Sequence, residues 1–503
     1  MRAIPLPQKS YEELETENAE LHEEIERLWQ QIKLLKKHIY GQKSEKLPVK
    51  DLRQEPLFPS ESMIIDEPEA ITPVKEHVRK GGGRKVLPAN LPRERIEYEP
   101  EEKTCGNCGV ELEKIGEEIT TELDYIPARL IVREHVKIKR ACSKCKEAGV
   151  SIGKLPPEVQ PIERGRAGIG LLVYIIISKY CDHLPLNRLE QMFARCGMEI
   201  ARQRMCDWLR EMAEQLKPLA EAILKVLLER DYLQADETTI KVQLEEVQLE
   251  ELKRKLHTGY FWAIHAPPNI VYYHYAPTRA GEVPKELLKD FTGVLQTDAY
   301  AGYNPVYVPD KCRRLACLAH IRRKLLDNNA AANKHGNQAL ELIQRLSKVE
   351  REAKNLSCEE AERLTRRHEL RQQKSRPLLD RFFGVLATIR DTYLPKNMLR
   401  AAAEYALDQR EEMYRYLEDP RFEIDNNSIE RMMRPIAIGR KNYLFAGSHA
   451  GAEWAAVFYT LINTCKLNGI NPADYLRDVI IRINNHPQSR INELLPFNWK
   501  PAQ

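Results

Sequence analysis

The sequence predicts a multidomain α+β protein, and three patterns along the chain support this prediction. Leucines recur every seven residues near the N-terminus, two CxxC cysteine pairs follow, and segments rich in β-branched and aromatic residues replace helical periodicity after residue 230. Because 503 residues are too many for one compact core, we assign these patterns to separate domains.

The composition excludes several classes of protein. Apolar residues make up 43% of the chain, and no apolar run approaches the roughly 20 residues that a membrane helix needs. The N-terminal residues lack the apolar stretch of a signal peptide, so we expect a cytoplasmic protein without membrane contact. The cysteine count of 11 is odd, which argues against a disulfide framework. A net charge of only +4 says little about nucleic acid.

Residues 10–40 have the heptad repeat of a coiled coil. Leucine occupies one core position of successive heptads, and isoleucine occupies the other after a single Asn18. This combination favours a parallel dimer, and a buried asparagine selects the register at some cost in stability. An amphipathic helix packed on its own domain is the alternative. The residues predicted to mediate dimerisation are Leu14, Leu21, Ile25, Leu28, Ile32 and Leu35.

Residues 41–91 are predicted to form a flexible linker. Prolines are scattered through the segment, and residues 81–83 are all glycine. The basic residues around these glycines suit either contact with DNA or simple solvation.

Residues 92–160 are predicted to form a zinc-binding module. Cys105 and Cys108 make one CxxC pair, and Cys142 and Cys145 make the other. Four thiolates on two tight turns suit one structural Zn²⁺ and leave no open position for chemistry. The alternating segment 130–138 predicts a small sheet between the two pairs. Four free structural cysteines are the alternative.

Residues 165–228 are predicted to be helical, with the spacing of a helix-turn-helix. One helix is expected over residues 186–195 and a second over residues 201–212, with a break at Cys196 and Gly197. Arg202 and Arg204 begin the second helix and can reach phosphates or base edges. Ordinary packing of two helices explains the same pattern equally well.

Residues 229–450 are predicted to form an α/β domain with two aligned acids. Strands are expected over residues 232–242, 259–265, 270–275 and 293–298, with a short helix before the last. This order of elements is typical of an RNase H-like domain. It puts Asp236 within the first strand and Asp298 at the end of the fourth, on adjacent central strands. Two carboxylates there suit Mg²⁺, which prefers oxygen ligands.

Glu430 is the predicted third acid. It follows the capping residues 425–427 and begins a short helix that Pro435 is expected to interrupt. Three carboxylates can hold two Mg²⁺ or Mn²⁺ ions at the spacing that in-line displacement at phosphorus requires. Without cations the carboxylates would repel one another and be partly protonated. A single aspartate at a strand end is more often a turn former or a cap.

Residues 334–420 are predicted to form a charged helical insertion between the fifth strand and Glu430, and residues 451–503 a C-terminal element. The insertion is expected to contact DNA, contact a second protomer or brace the site.

The segments around the three acids resemble one known family. DNNSIERMMRPIAIGRKNYLFAGS, over residues 425–448, resembles the third-carboxylate segment of DDE transposases of the insertion sequence sixty-six family. QADET at 234–238 and LQTDAYAGY at 295–303 resemble the first two, although Ala299 stands where relatives commonly have glycine. The resemblance extends through CLAHIRRK at 317–324, SKYCDHLPL at 178–186, both CxxC pairs and YGQKSEKL at 40–47.

The resemblance implies a bacterial insertion-sequence transposase that binds element ends, cleaves DNA and transfers the strand into target DNA. It implies a zipper, a zinc module, a helical DNA-binding region and a two-metal DDE domain, working as a dimer or larger assembly on the nucleoid, with accessory proteins of the same element as candidate partners. The alternatives are an RNase H-like nuclease that joins no strands, a non-catalytic DNA-binding regulator and a zinc-stabilised scaffold with structural acids.

Basic residues near the acids are the predicted DNA contacts, and a solvated basic face is the alternative. Each lost phosphate contact should flatten the salt dependence of DNA binding by about 0.9 in log–log slope. His320 is a candidate auxiliary residue in the active site, or a core histidine bonded to backbone. The predicted DNA contacts besides Arg202 and Arg204 are Arg322, Arg323, Arg434, Arg440 and Lys441.

Overall fold

A computed structural model describes residues 130–141, 150–154, 161–162, 167–244, 256–328 and 330–501. The chain divides into two units, Met1–Glu55 and Pro56–Gln503, and all described residues belong to the second. The predicted coiled coil, the linker and the four CxxC cysteines lie outside the described residues, so these remain predictions. No helix in the described part of the chain is long and apolar enough to cross a membrane.

A two-stranded antiparallel sheet lies in the segment predicted to bind zinc. β1 (Lys139–Ala141) pairs with β2 (Val150–Ile152), and the Gly153 amide donates to the Ile138 carbonyl over 3.1 Å. The predicted strand over 130–138 is wrong, since those residues are exposed and form no strand. β1 instead begins at Lys139, and its partner strand β2 follows the second CxxC pair in the sequence.

Among the described residues, three helices precede the main sheet: α1 (Ile169–Tyr180), α2 (Leu186–Arg195) and α3 (Arg202–Leu228). Gly197 has a positive φ of 82°, which glycine adopts without strain, and so separates α2 from α3. α3 extends well beyond the predicted end at residue 212. Buried residues recur along its whole length, from Met205 to Leu227, so packing keeps it helical through Pro218.

The central sheet has five strands in the order β5-β4-β3-β6-β7. β3 pairs antiparallel with β4, and β4 pairs antiparallel with β5, whereas β3 with β6 and β6 with β7 are parallel. A short helix, α4 (Glu282–Leu287), precedes β6. The strands are β3 (Tyr232–Gln243), β4 (Leu256–Ala266), β5 (Ile270–Ala276), β6 (Gly293–Gln296) and β7 (Cys312–Leu315).

Helices fill the chain between β7 and the third acid. They pack into a hydrophobic core of their own, which also takes in Val294 and Leu315 from the sheet. A π-helical turn, Arg371–Ser375, links two of them. The helices are α5 (Leu318–Asp327), α6 (Lys334–Lys354), α7 (Glu360–Leu370), α8 (Arg376–Thr392), α9 (Met398–Leu407) and α10 (Arg410–Tyr414).

Three further α-helices follow: α11 (Asn427–Tyr443), α12 (His449–Leu467) and α13 (Pro472–Arg482), and two short 3₁₀ helices lie after them. α12 lies against β5, where the Tyr273 amide donates to the Thr460 hydroxyl over 3.0 Å and the Thr464 hydroxyl donates to the Val271 carbonyl over 2.9 Å. α12 therefore crosses the predicted boundary at residue 450, because it belongs to the core of the sheet.

A buried ionic cluster ties the inserted helices to the segment that leads into α11. The side chain of Glu350 is 6% exposed and accepts hydrogen bonds from both Arg367 and Arg371. Arg371 is fully buried and also donates to the carbonyls of Tyr416 (2.9 Å) and Phe422 (2.8 Å). Burial would raise the pKa of Glu350, but Arg371 and then Arg367 hold it below its usual range.

We expect Glu350→Gln to destabilise the protein by about 3–5 kcal/mol, because it leaves buried guanidinium charge without its counter-ion. The measurement is the free energy of unfolding in urea. Glu352→Gln is the matched control on the same helix, since Glu352 is 46% exposed and pairs with Lys374, where a loss of about 0–1 kcal/mol is expected. Equal losses in the two variants would contradict the proposed importance of the buried cluster.

Candidate active site

Asp236 lies on β3, and Asp298 follows the neighbouring parallel strand β6, which ends at Gln296 rather than at the predicted residue 298. Gln234 of β3 pairs with Gln296 of β6, and each aspartate follows its glutamine by two residues. Because side chains alternate along a strand, the two-residue step returns Asp236 to the face of Gln234. The parallel pairing therefore places both acids at the same end of the sheet, as the sequence predicts.

Each aspartate is held by a nearby backbone amide. Asp236 Oδ1 accepts from the Glu237 amide over 2.9 Å, and Asp298 Oδ1 accepts from the Tyr300 amide over 3.0 Å. Both residues are partly buried. One oxygen of each carboxylate is thus oriented by the chain itself.

Glu430 lies in the first turn of α11 and is 6% exposed. Its Oε1 lies 3.7 Å from His320 Nε2 and 3.8 Å from Arg323 Nη2, and both residues are in α5. Its Oε2 is buried and has no hydrogen-bond partner. A buried carboxylate oxygen without a partner is costly, so this oxygen is suited to coordinate a cation.

α11 is fastened to β3 beside Asp236. The Asn426 side-chain amide donates to the Ala235 carbonyl over 3.1 Å, and the Asn426 backbone amide donates to Cys317 Sγ over 3.1 Å. Asn426 precedes the helix, but its side chain does not cap it. Of the predicted capping residues 425–427, Asp425 accepts through Oδ1 from the Asn427 backbone amide over 3.0 Å. The predicted interruption at Pro435 is also wrong, because α11 continues to Tyr443.

Arg440 explains part of this continuity. Its Nη1 donates to the Thr239 carbonyl over 2.6 Å and to the Thr238 hydroxyl over 3.0 Å, so the C-terminal turns of α11 are bonded to β3. Ile436 on the same helix is fully buried against the core. Packing and these bonds outweigh the hydrogen bond that Pro435 removes.

A buried amide network lies beneath the acids. Gln234 Nε2 donates to Gln296 Oε1 over 2.8 Å, and Gln296 Nε2 donates to the Glu423 carbonyl over 2.8 Å. The Tyr232 hydroxyl donates to Gln296 Oε1 over 2.6 Å, and the Ser428 hydroxyl bonds to Gln234 Oε1. Both glutamines are fully buried, so the network fixes the start of α11 relative to β3 and β6.

The electrostatics of Asp236 show that the acids share one environment. Burial raises its pKa, as do the charges of Glu237, Asp298 and Glu430, and His320 offsets them in part. The resulting pKa is about 8. A carboxyl group with such a pKa holds a proton near neutral pH unless another cation replaces it.

The donor set fits divalent cations, although the described residues contain no group of three acidic, histidine or cysteine side chains already arranged around a metal position. All three acids offer oxygen, the ligand that Mg²⁺ and Mn²⁺ prefer. The unpartnered Oε2 of Glu430 and the raised pKa of Asp236 are both features that a cation would relieve.

The predicted DNA-contact residues fall into different settings. Arg202 pairs with Glu190 over 3.2 Å, whereas Arg204 and Lys441 are exposed. Arg323 lies beside Glu430, and Arg440 is bonded to β3, as described above. Arg322 and Arg434 each interact with other groups of the protein. None of these positions tests DNA contact, so the assignments remain predictions.

Sequence reasoning missed the residues that hold the acids in place. Gln234, Gln296 and Asn426 carry no charge and have no obvious chemistry. A signal was nevertheless present, because QAD at 234–236 and QTD at 296–298 repeat one triplet on two predicted strands. Two matching triplets on adjacent parallel strands indicate side chains that meet across the sheet.

Comparison with known sequences agrees with the arrangement of these elements. A family model described as "Transposase IS66 family" matches residues 164–454, more than half of the chain. The chain belongs to the IS66 transposase family. Two further models, "IS66 C-terminal element" and "Transposase C of IS166 homeodomain", match residues 460–497 and 27–96.

The zinc-binding prediction also gains support from this comparison. The model described as "zinc-finger binding domain of transposase IS66" matches residues 102–146, which include all four CxxC cysteines. The IS66 family assignment thus supports a zinc-finger domain and DNA as a partner.

Curated relatives of this IS66 family member come from Sinorhizobium fredii (strain NBRC 101917 / NGR234). The uncharacterized protein y4hP is 34% identical over 85% of this chain and 79% of its own length. The uncharacterized protein y4jD is 30% identical over 98% of both chains. The uncharacterized protein y4qI is 30% identical over 95% of this chain and 90% of its own.

We expect Gln234→Leu to destabilise the protein by about 1–3 kcal/mol, because it leaves buried partners of the amide unsatisfied. The measurement is the midpoint of chemical denaturation at constant slope. Gln243→Leu, at the exposed end of the same strand, is the matched control and should leave the midpoint nearly unchanged. An unchanged midpoint in Gln234→Leu would show that the amide network contributes nothing to the fold.

Proposed function

We propose that this chain binds the ends of an insertion sequence, cleaves the DNA there and transfers the freed strand into target DNA. The observation that supports this most directly is the parallel register of β3 and β6, which brings Asp236 and Asp298 to one end of the sheet, where the start of the Glu430 helix is bonded to β3. We further propose that the domain is RNase H-like, since three antiparallel strands followed by two parallel ones match the order expected for that fold.

Asp236, Asp298 and Glu430 are the residues that would hold two divalent ions. Bound Mg²⁺ or Mn²⁺ would supply activation of the attacking oxygen and neutralisation of charge on the leaving oxygen. The protein's contribution is to keep the three carboxylates at fixed positions, which the parallel register and the anchored start of α11 both support.

His320 and Arg323 are proposed to assist from α5. His320 faces Glu430 with Nε2 over 3.7 Å, and its buried Nδ1 has no hydrogen-bond partner among the described residues. Arg323 brings positive charge to the same place and is proposed to contact a DNA phosphate.

The remaining proposed DNA contacts are Arg202 and Arg204 at the start of α3, together with Arg322, Arg434 and Lys441. For Arg440 the bonds to β3 support an anchoring role as well. We also propose one structural Zn²⁺ at Cys105, Cys108, Cys142 and Cys145, a dimer through the heptad segment and, on DNA, a larger assembly with accessory proteins.

We expect Asp298→Asn to abolish insertion while leaving abundance and binding to element ends unchanged. The measurement counts new insertions of a marked donor bounded by the ends that flank this gene. Asp290→Asn, an exposed aspartate in the loop before β6, is the matched control and should insert like wild type. Insertion by Asp298→Asn at the wild-type frequency would refute the assignment of the acids.

Two other outcomes of this experiment identify the alternatives. Cleaved ends without joined product would point to a nuclease. Binding without cleavage by the wild-type protein, with element accessory proteins supplied, would point to a regulator.

We expect Mn²⁺ or Mg²⁺ to raise the thermal-unfolding midpoint more at about pH 8.5 than at about pH 6. The pKa of Asp236 is about 8 in the folded protein, against 3.8 for the ordinary group. Because the folded-state value is the higher one, the cation-free protein loses stability as pH rises between these values. Cation binding requires the ionised carboxylate, so its stabilising effect grows over the same interval.

Asp298→Asn should lose this cation-dependent shift. An equal shift at both pH values, or a full shift in Asp298→Asn, would contradict a cation site at these acids.

A further inference from the structure

Glu237 is a buried acid that the proposed chemistry leaves unused. It follows Asp236 on β3, and the alternation of side chains along a strand turns it to the opposite face of the sheet. Its side chain is 3% exposed, yet it carries a carboxylate. A buried carboxylate is retained at low cost only where hydrogen bonds and opposite charge compensate its lost hydration.

Two partners supply part of that compensation, although burial still raises the pKa of Glu237. The Tyr303 hydroxyl donates to Glu237 Oε2 over 2.7 Å, and Arg279 Nε donates to Oε1 over 2.8 Å. Tyr303 is 1% exposed and its ring packs edge-on against Trp262, with 5.7 Å between the ring centroids. Both oxygens of Glu237 are therefore bonded, and one of the bonds is shielded from water.

Both partners belong to or contact the segment that follows Asp298. Tyr303 lies in the 3₁₀ turn Ala301–Val306, which starts three residues after Asp298. Tyr300, whose amide orients Asp298 Oδ1, lies with its ring 3.7 Å from the Arg279 guanidinium carbon. The Tyr300 hydroxyl also donates to the Arg279 carbonyl over 2.6 Å.

These contacts form a closed cycle that returns to Glu237. Glu237 accepts a hydrogen bond from Arg279, and Arg279 contacts Tyr300. Tyr300 is followed in the chain by Tyr303, which donates to Glu237 and so closes the cycle of contacts. Asp298 joins this cycle of contacts because its Oδ1 accepts from the Tyr300 backbone amide. β6 ends at Gln296, so pairing with the neighbouring strands does not extend to Asp298 itself. Glu237 provides a fixed point on β3 for a segment that the strand ladder no longer holds.

We propose that Glu237 is a positioning residue that holds the Asp298 segment against β3, and thereby sets the affinity of the site for divalent cations. This inference rests on the proposed function of the three acids. Groups that orient metal-binding carboxylates commonly change metal affinity by about 10–100-fold when they are removed. The reaction at saturating cation should depend on Glu237 much less, because Glu237 does not touch the reacting atoms.

The experiment compares Glu237→Gln, Glu237→Ala and Tyr303→Phe in the full chain. Mn²⁺ affinity is measured by isothermal titration calorimetry, and cleavage of end DNA is measured across Mn²⁺ concentrations. We expect Kd for Mn²⁺ to rise about 10-fold or more in Glu237→Ala and Tyr303→Phe, with cleavage at saturating Mn²⁺ within a few-fold of wild type. Glu237→Gln keeps an acceptor for Tyr303 but loses the charge facing Arg279, so its Kd should lie between those of wild type and Glu237→Ala.

Two matched controls separate positioning from general damage. Glu286→Gln removes an exposed acid whose partner is Lys289, and Tyr475→Phe removes a buried hydroxyl that donates to the Leu494 carbonyl over 2.8 Å. Neither should change Kd for Mn²⁺. The double variant Glu237→Ala/Tyr303→Phe should show little further loss beyond Glu237→Ala alone, since Glu237→Ala already removes the contact with Tyr303.

The outcomes distinguish this inference from the function on which it rests. An unchanged Kd in folded Glu237→Ala and Tyr303→Phe, with Kd raised in Asp298→Asn, would overturn the positioning role and leave the cation site standing. An unchanged Kd in Asp298→Asn would overturn the cation site itself. If Glu237→Ala does not fold, Tyr303→Phe and Glu237→Gln decide the question, and wild-type Kd in both overturns the proposal.

Discussion

The parallel pairing of β3 with β6, locked by the buried Gln234–Gln296 hydrogen bond, is the constraint on which the rest of the site depends. It aligns Asp236 with Asp298, and the same two amides bond to the segment that starts α11. A shift of one residue between these strands would turn one acid to the other face and break the amide bond at once. The register and the alignment of the acids are therefore fixed together.

Glu430 is separated from Asp236 and Asp298 by the long helical insertion, and buried charged groups of that insertion bond to the segment that leads into α11. Arg371 donates to backbone carbonyls shortly before α11, while Glu350 neutralises Arg371 and Arg367. The inserted helices thus do more than occupy space between β7 and α11. Their ionic cluster fixes the entry of the Glu430 helix, so an alteration far from the acids is expected to reach them through backbone position.

The strands of the central sheet, α2 and the pairing of the first two acids were predictable because each depends on local pattern and simple sheet geometry. The lengths of α3 and α11 were not, since burial along their whole faces keeps them helical through Pro218 and Pro435. The roles of Gln234, Asn426 and Glu237 were also hidden, because they arise from partners distant in sequence. The repeated glutamine–x–aspartate triplet was the available clue. The zinc and coiled-coil predictions concern residues that the structure does not describe.

The contacts of α12 with β5 bear on how copies of this protein can associate. β5 lies at one edge of the sheet. The Tyr273 amide of this strand donates to the Thr460 hydroxyl, and the Val271 carbonyl accepts from the Thr464 hydroxyl. An edge strand whose amides and carbonyls are already bonded gives an incoming strand no ladder to join. A second protomer that paired with β5 at Val271 and Tyr273 would therefore first have to displace these two hydroxyl bonds.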